Sequence, residues 1–210
     1  PAMRPVKFYI DTHKGVTGPV MLLMLALYQQ GENPTAWLYV ALHGAYGALW
    51  VLKGQLFPDR QWERPVSALY GIGAVWGGLS LYWVGGWLVM AQAVRAPGWW
   101  LACCVSLYTL GIFCHFGADM QKFTALRLAP GRLITDGFWR LSRNPNYFGE
   151  LCIYAGFGLL AMHWAPILIL LVWVFFVWLP LIRRKEQSLA RYPEFAAYQR
   201  RVRCLIPFVV

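Results

Sequence analysis

Charge is scarce in this chain. Of its 210 residues only 13% are charged, about half the share in a soluble domain, whereas 59% are hydrophobic and the mean hydropathy is +0.45. That balance excludes a soluble enzyme. Acidic residues are rarer still, nine against 19 Lys and Arg. Cysteine is limited to five, an odd number; Cys103, Cys104, Cys114 and Cys152 sit in apolar runs without C-x-x-C spacing, which excludes a disulfide framework and a zinc site, and no metal site is expected. Internal repeats and low-complexity tracts are missing as well, and with 12 Trp, 11 Tyr and 12 Phe the chain is not disordered. The net charge of +10 does not by itself indicate nucleic acid, because in a membrane protein the placement of positive charge sets topology. No nucleic-acid partner is expected.

What is present is a series of long uncharged runs: Gly15–Gly31, Asn33–Leu52, Val66–Gln92, Ala96–Ala118 and Leu151–Ile182. Roughly 20 apolar residues cross a bilayer as a helix. Each of the first four runs reads as one helix. The last would be about 48 Å long as a single helix, too long for one comfortable span, and it contains a natural break at His163-Trp164-Ala165-Pro166. Charge decides for a hairpin. With six spans, 18 of the 19 Lys and Arg lie on one side and only Arg95 opposite; with five spans the split is 11 to 8. The positive-inside rule therefore gives an all-α polytopic membrane protein of about six helices, the last two a hairpin, with both termini on the cytoplasmic or matrix side. It reads as a single membrane domain, 1–210, with a four-helix part at 15–118 and a C-terminal part at 119–210, the latter the part to which the resemblance below assigns a cofactor. Pro1–Lys14 has no apolar core of a signal peptide. The chain opens on Pro1 rather than Met, which leaves room for a segment upstream and leaves the organelle open.

Eight of the nine acids fall on the same side as the arginines, so polar chemistry is expected there. The informative stretch is Gly117–Gly158, read as a basic loop entering the fifth span. Asn144 before Pro145 has the form of an N-cap followed by the first helical residue. A helix beginning there aims its unsatisfied N–H groups at a loop that holds Arg127, Arg132, Arg140 and Arg143, a setting suited to phosphate. Asn146 and Glu150, four apart, share one face, and an ionisable group just inside the interface is costly enough to suggest function.

The run Ser142-Arg-Asn-Pro-Asn-Tyr-Phe-Gly-Glu150, preceded by Asp119 and Leu126-Arg127 and followed by Tyr192-Pro-Glu-Phe195 and Leu205-Ile-Pro-Phe208, resembles the C-terminal domain of the steroid 5-alpha-reductase family, and within it the DUF1295 branch. The resemblance runs from about Phe113 to Val210. It implies an NADPH-dependent reductase of a conjugated double bond in a lipid or steroid-like substrate, with Asp119, Arg127, Arg143, Asn146, Tyr147 and Glu150 at the cofactor and the Tyr192–Phe208 segment closing over it. Where the family commonly has Asn four residues before the Asp, this chain has His115. The Arg-x-Pro-x-Tyr-x-Gly portion is shared with isoprenylcysteine and phospholipid methyltransferases. A membrane methyltransferase using S-adenosylmethionine is therefore the alternative, and a catalytically eroded subunit of a larger membrane complex is a third reading.

Reduction of an enone needs a donor to the enolate oxygen and a proton source. His43 and Tyr46, three apart on the second span, are the expected catalytic pair, with Tyr70, Tyr82, Tyr108 and His115 as alternative donors. Lys53 and Phe57–Pro65 lie on the same side as the basic loop. Gly71, Gly73, Gly77, Gly78, Gly85 and Gly86 give the third span a thin face suited to close helix packing.

Overall fold

The computed structural model describes residues 3–209; Pro1 and Ala2, at the opening of the stretch 1–14, and Val210, where the family resemblance ends, lie outside them. Among the described residues eight helices follow in order: α1 Val6–Leu27, α2 Pro34–Leu56, α3 Ala68–Ser80, α4 Trp83–Ala91, α5 Gly98–Leu128, α6 Pro145–Gly158, α7 Trp164–Leu189 and α8 Phe195–Arg201. The all-α expectation holds apart from a two-residue antiparallel ladder, β1 Arg4–Pro5 against β2 Pro65–Val66. Of these helices α2, α5 and α7 are long and apolar enough to cross a membrane, and α3 with α4 makes a fourth if that bent pair is one span. Large apolar side chains face outward along them, among them Leu52, Leu110, Phe113, Phe175 and Phe176, as lipid contact requires.

Helix boundaries follow local chemistry. Asn33 accepts at Oδ1 from the backbone N–H groups of Thr35 and Ala36 and so caps α2, with Pro34 at the first helical position. The long apolar run breaks where expected: α6 ends at Gly158, a 3-10 turn covers Leu159–Ala161, Met162 takes a left-handed φ of 47°, and α7 starts at Trp164.

Two expectations are corrected. The third span is not one helix: a widened π-turn at Gly71–Trp76 and a 42° bend between Ser80 and Trp83 divide it. Glycine weakens the helix there, and several of these glycines accept aromatic rings, Gly71 against Tyr9 and Gly85 and Gly86 against Tyr39. Gly117–Leu128, read as loop, is the last part of the 31-residue α5. Apolarity ends near Ala118, but Pro130 and Gly131 are the first helix breakers after it, so the helix continues as a polar one.

The chain forms two compact units, one of residues 1–108 with 155–169, the other of 109–154 with 170–210. In the first, α1 and α2 pack closely. A Cβ on Gly44 would lie 3.2 Å from the Gly18 Cα, and one on Gly47 would overlap the Lys14 carbonyl. Tyr39, Tyr46, Met21 and Phe157 fill its centre. In the second unit α5 and α6 cross at Gly111 and Gly149, where a Cβ on Gly111 would come within 2.6 Å of the Gly149 carbonyl and one on Gly149 would overlap the backbone of His115. There α7 returns along α6, with Trp178 ring to ring with Tyr147 at 5.6 Å and Tyr154 at 6.2 Å. A smaller core of Leu133, Phe195, Tyr198 and Val202 seats α8.

Candidate functional site

The second unit brings together Asp119, Asn146 and His115, which is both a departure from the family pattern and one of the alternative donors. All three depend on the glycine crossing of α5 and α6, which lets the first turn of α6 lie against the middle of α5. His115 Nδ1 is 3.0 Å from the Asn146 carbonyl, and its Nε2 is 3.8 Å from Asp119 Oδ2, one helical turn along the same face. Both His115 and Asp119 are buried. Asn146 Oδ1 is buried and carries no hydrogen bond. Asn146 and Glu150 occupy successive turns of one face of α6, as their spacing requires, and Tyr147 packs on Trp178. Arg127 is exposed near the end of α5, with its guanidinium 5.1 Å over the Phe123 ring; Arg132 and Arg140 are exposed too.

Arg143 faces elsewhere. Its Nε donates to Glu186 Oε1 at 2.5 Å, and its Nη1 to the carbonyls of Gln199, at 3.1 Å, and Val202. Burial works against its charge, but the hydrogen bond and charge of Glu186 more than offset this and hold its pKa above the ordinary arginine value. Ser142 Oγ donates to the carbonyls of Cys204 and Leu205, Asn144 Nδ2 to that of Cys204 at 2.8 Å, and Lys185 Nζ to that of Arg143 at 2.9 Å. Tyr198 closes the clasp by donating to the Trp139 carbonyl at 2.7 Å. Ser142–Asn144 thus fastens the C-terminal segment onto the turn that starts α6. The helix begins at Pro145 as expected, but the Asn144 side chain ties the tail instead of capping the helix, and its Oδ1 carries no hydrogen bond. Burial, reinforced by Glu186, pushes the Cys204 thiol pKa up.

The proposed catalytic pair belongs to the first unit. His43, 2% exposed, stacks on Phe157 with ring centroids 4.1 Å apart, and its Nδ1 has no partner. Tyr46 is fully buried, with the Lys14 ammonium 4.1 Å over its ring. The same ammonium lies 5.3 Å from the Trp50 ring, and that of Lys53 lies 4.5 Å from it on the next turn. His13 is enclosed by Trp83, stacked at 4.6 Å, and Trp76, edge-on at 5.0 Å. Sequence reasoning missed the His115 bridge and the Ser142–Asn144 clasp. The first had a signal, His and Asp four apart on a helix; the second had none, because its partners are backbone carbonyls about 60 residues away.

These elements define an α-helical protein with three to four helices long and apolar enough to cross a membrane and a polar cluster where α5 meets the start of α6. The chain belongs to the DUF1295 family, described as proteins of unknown function, which matches residues 78–202. That stretch holds Asp119, Arg127, Arg143, Asn146, Tyr147 and Glu150, but not His43 or Tyr46. No curated protein matches the chain.

Proposed function

We propose that this protein is a membrane-embedded, NADPH-dependent reductase of a conjugated carbon–carbon double bond in a lipid or steroid-like substrate. One observation carries the reading: the buried, unpartnered Oδ1 of Asn146, on one face with Glu150 and held beside the His115–Asp119 pair. Buried acceptors in proteins are nearly always paired, so an orphan next to a carboxylate suits a ligand that brings N–H and O–H donors, as a carboxamide and ribose do. NADPH, when bound, supplies the hydride.

The chain's own residues do the rest. Asn146 and Glu150 accept hydrogen bonds from the cofactor, and His115 fixes the Asn146 carbonyl and with it the orientation of the first turn of α6. Asp119 flanks the imidazole. Arg127, with Arg132 and Arg140, adds positive charge for phosphates, Tyr147 walls the site, and Arg143 acts by strapping the C-terminal segment in place. His43 and Tyr46 are the proposed proton donors, supported by the open Nδ1 of His43. The protein crosses the membrane six times with both termini on the cytoplasmic or matrix side; the 18-to-1 division of Lys and Arg and the reversal at Met162 support this.

The test is a titration of detergent-purified protein with NADPH and, separately, S-adenosylmethionine, followed by tryptophan quenching and thermal stability. NADPH is expected to stabilise the protein, and Asn146→Ala or Glu150→Ala to weaken its binding about tenfold each. Unchanged affinity in both variants overturns the site. Binding of S-adenosylmethionine alone assigns a methyltransferase, and binding of neither ligand assigns a structural subunit of a membrane complex.

A further inference from the structure

At the charged end of α1 and α2 the first unit has a small pocket bordered by Lys7, Asp11, Trp50, Lys53, Asp59 and Trp62, with Gly54 between the helices. Charge is paired around it rather than uniform. Lys7 Nζ donates to the Gly54 carbonyl at 2.7 Å and lies 4.0 Å from Glu63, leaving its ammonium at the rim. Lys53, 6% exposed, extends along the Trp50 face. Asp11 takes a hydrogen bond from Trp50, yet its Oδ1 is buried with no partner, although three lysines lie on these two helices. Asp59 caps the short turn Arg60–Glu63 that carries Trp62.

We propose that this pocket binds the headgroup of an aminophospholipid, of the phosphatidylethanolamine type. Such a headgroup carries both things the lining asks for. Its phosphate meets the Lys7 ammonium at the rim, and its primary ammonium donates to the Asp11 carboxylate, whose Oδ1 has no partner, against the Trp62 indole. A bare cation would face the lysines, and a simple anion would leave Asp11 unmet and face two carboxylates. A lipid is the source because α2 is one of the helices able to cross a membrane, and the turns that carry Lys53 and Gly54 also present Leu52 and Leu56, 49% and 63% exposed, where acyl chains lie. None of these residues falls in the matched stretch 78–202.

The experiment is native mass spectrometry and thermal-shift titration of the full chain in detergent. The probes are dioctanoyl phosphatidylethanolamine, phosphatidylcholine and phosphatidylglycerol, and water-soluble glycerophosphoethanolamine. Phosphatidylethanolamine is expected to bind about tenfold more tightly than the other two lipids, since phosphatidylcholine has no N–H and phosphatidylglycerol no ammonium. Asp11→Asn should erase that preference. Lys7→Gln, a change at a partly exposed side chain, should weaken phosphatidylethanolamine and phosphatidylglycerol alike, so the proposal is testable even if Asp11→Asn does not fold. Equal binding of the three lipids, or a preference that survives Asp11→Asn, overturns the site. Glycerophosphoethanolamine binding as tightly as the lipid overturns the lipid as source and assigns a soluble ligand.

Discussion

Both compact units bury basic side chains, but they compensate the charge in different ways. In the first, Lys14 and Lys53 lie against Tyr46 and Trp50 on neighbouring turns, flexible ammonium stems laid across aromatic faces. In the second, Arg143 is held by one carboxylate and two backbone carbonyls, its planar donors each directed at a fixed acceptor. The contrast follows from the side chains. An ammonium is a point charge that a ring quadrupole can serve from many directions, whereas a guanidinium is a fork that requires acceptors at set angles. The fork fixes a chain segment in one place.

That difference can be broken from either side. Replacing Arg143 with Ala should have the largest effect, because it leaves the half-buried Glu186 without its cation and releases the tail. A loss of about 3–5 kcal/mol is expected, with rapid proteolytic cutting after Ala190. Arg143→Lys should not restore it, since a lysine cannot serve Glu186 and both carbonyls together. Melting in detergent and limited proteolysis check both, and a tail that stays protected in Arg143→Ala would refute the clasp.

Gly149→Ala comes next. Alanine is the better helix former by about 1 kcal/mol, but its Cβ would collide with the backbone of His115, so a net loss of about 1–3 kcal/mol is expected. Gly47→Ala, against the Lys14 carbonyl, should behave alike in the first unit. A rise in melting temperature for either would show that propensity outweighs contact. Asn144→Ala removes the bond to the Cys204 carbonyl and a weak contact with its Sγ, and should cost about 1 kcal/mol. Lys14→Met should be smallest, within about 1 kcal/mol, because the lost attraction to the rings is offset by the ammonium no longer being desolvated. A large loss there would place Lys14 in a stronger network than its rings supply.

Several features of the fold were legible without coordinates because they are set locally. The break in the last apolar run and the start of α6 at Pro145 depend on residues within a turn of one another. The bend between α3 and α4 was not legible, since hydropathy reports whether a run is apolar and not whether its glycines keep it straight. Nor was the extension of α5 past Ala118, where apolarity and helicity part. In the candidate site, Gly149 lay inside a motif read for its chemistry, yet it is what lets α5 and α6 meet. His115 had been noted as a departure, and only its contact with the Asn146 carbonyl makes it part of the cluster.

The sequence by itself determined that the chain is helical, with helices long and apolar enough to cross a membrane and its charges gathered in a few blocks, because hydropathy and charge act residue by residue. Only the tertiary structure decided that Arg143 serves the tail, that His115 joins Asp119 to the start of α6, and that Asp11 opens on a pocket with Lys7 and Trp62. Those outcomes depend on groups far apart in the chain, and no local pattern specifies which backbone carbonyl or ring will be within reach.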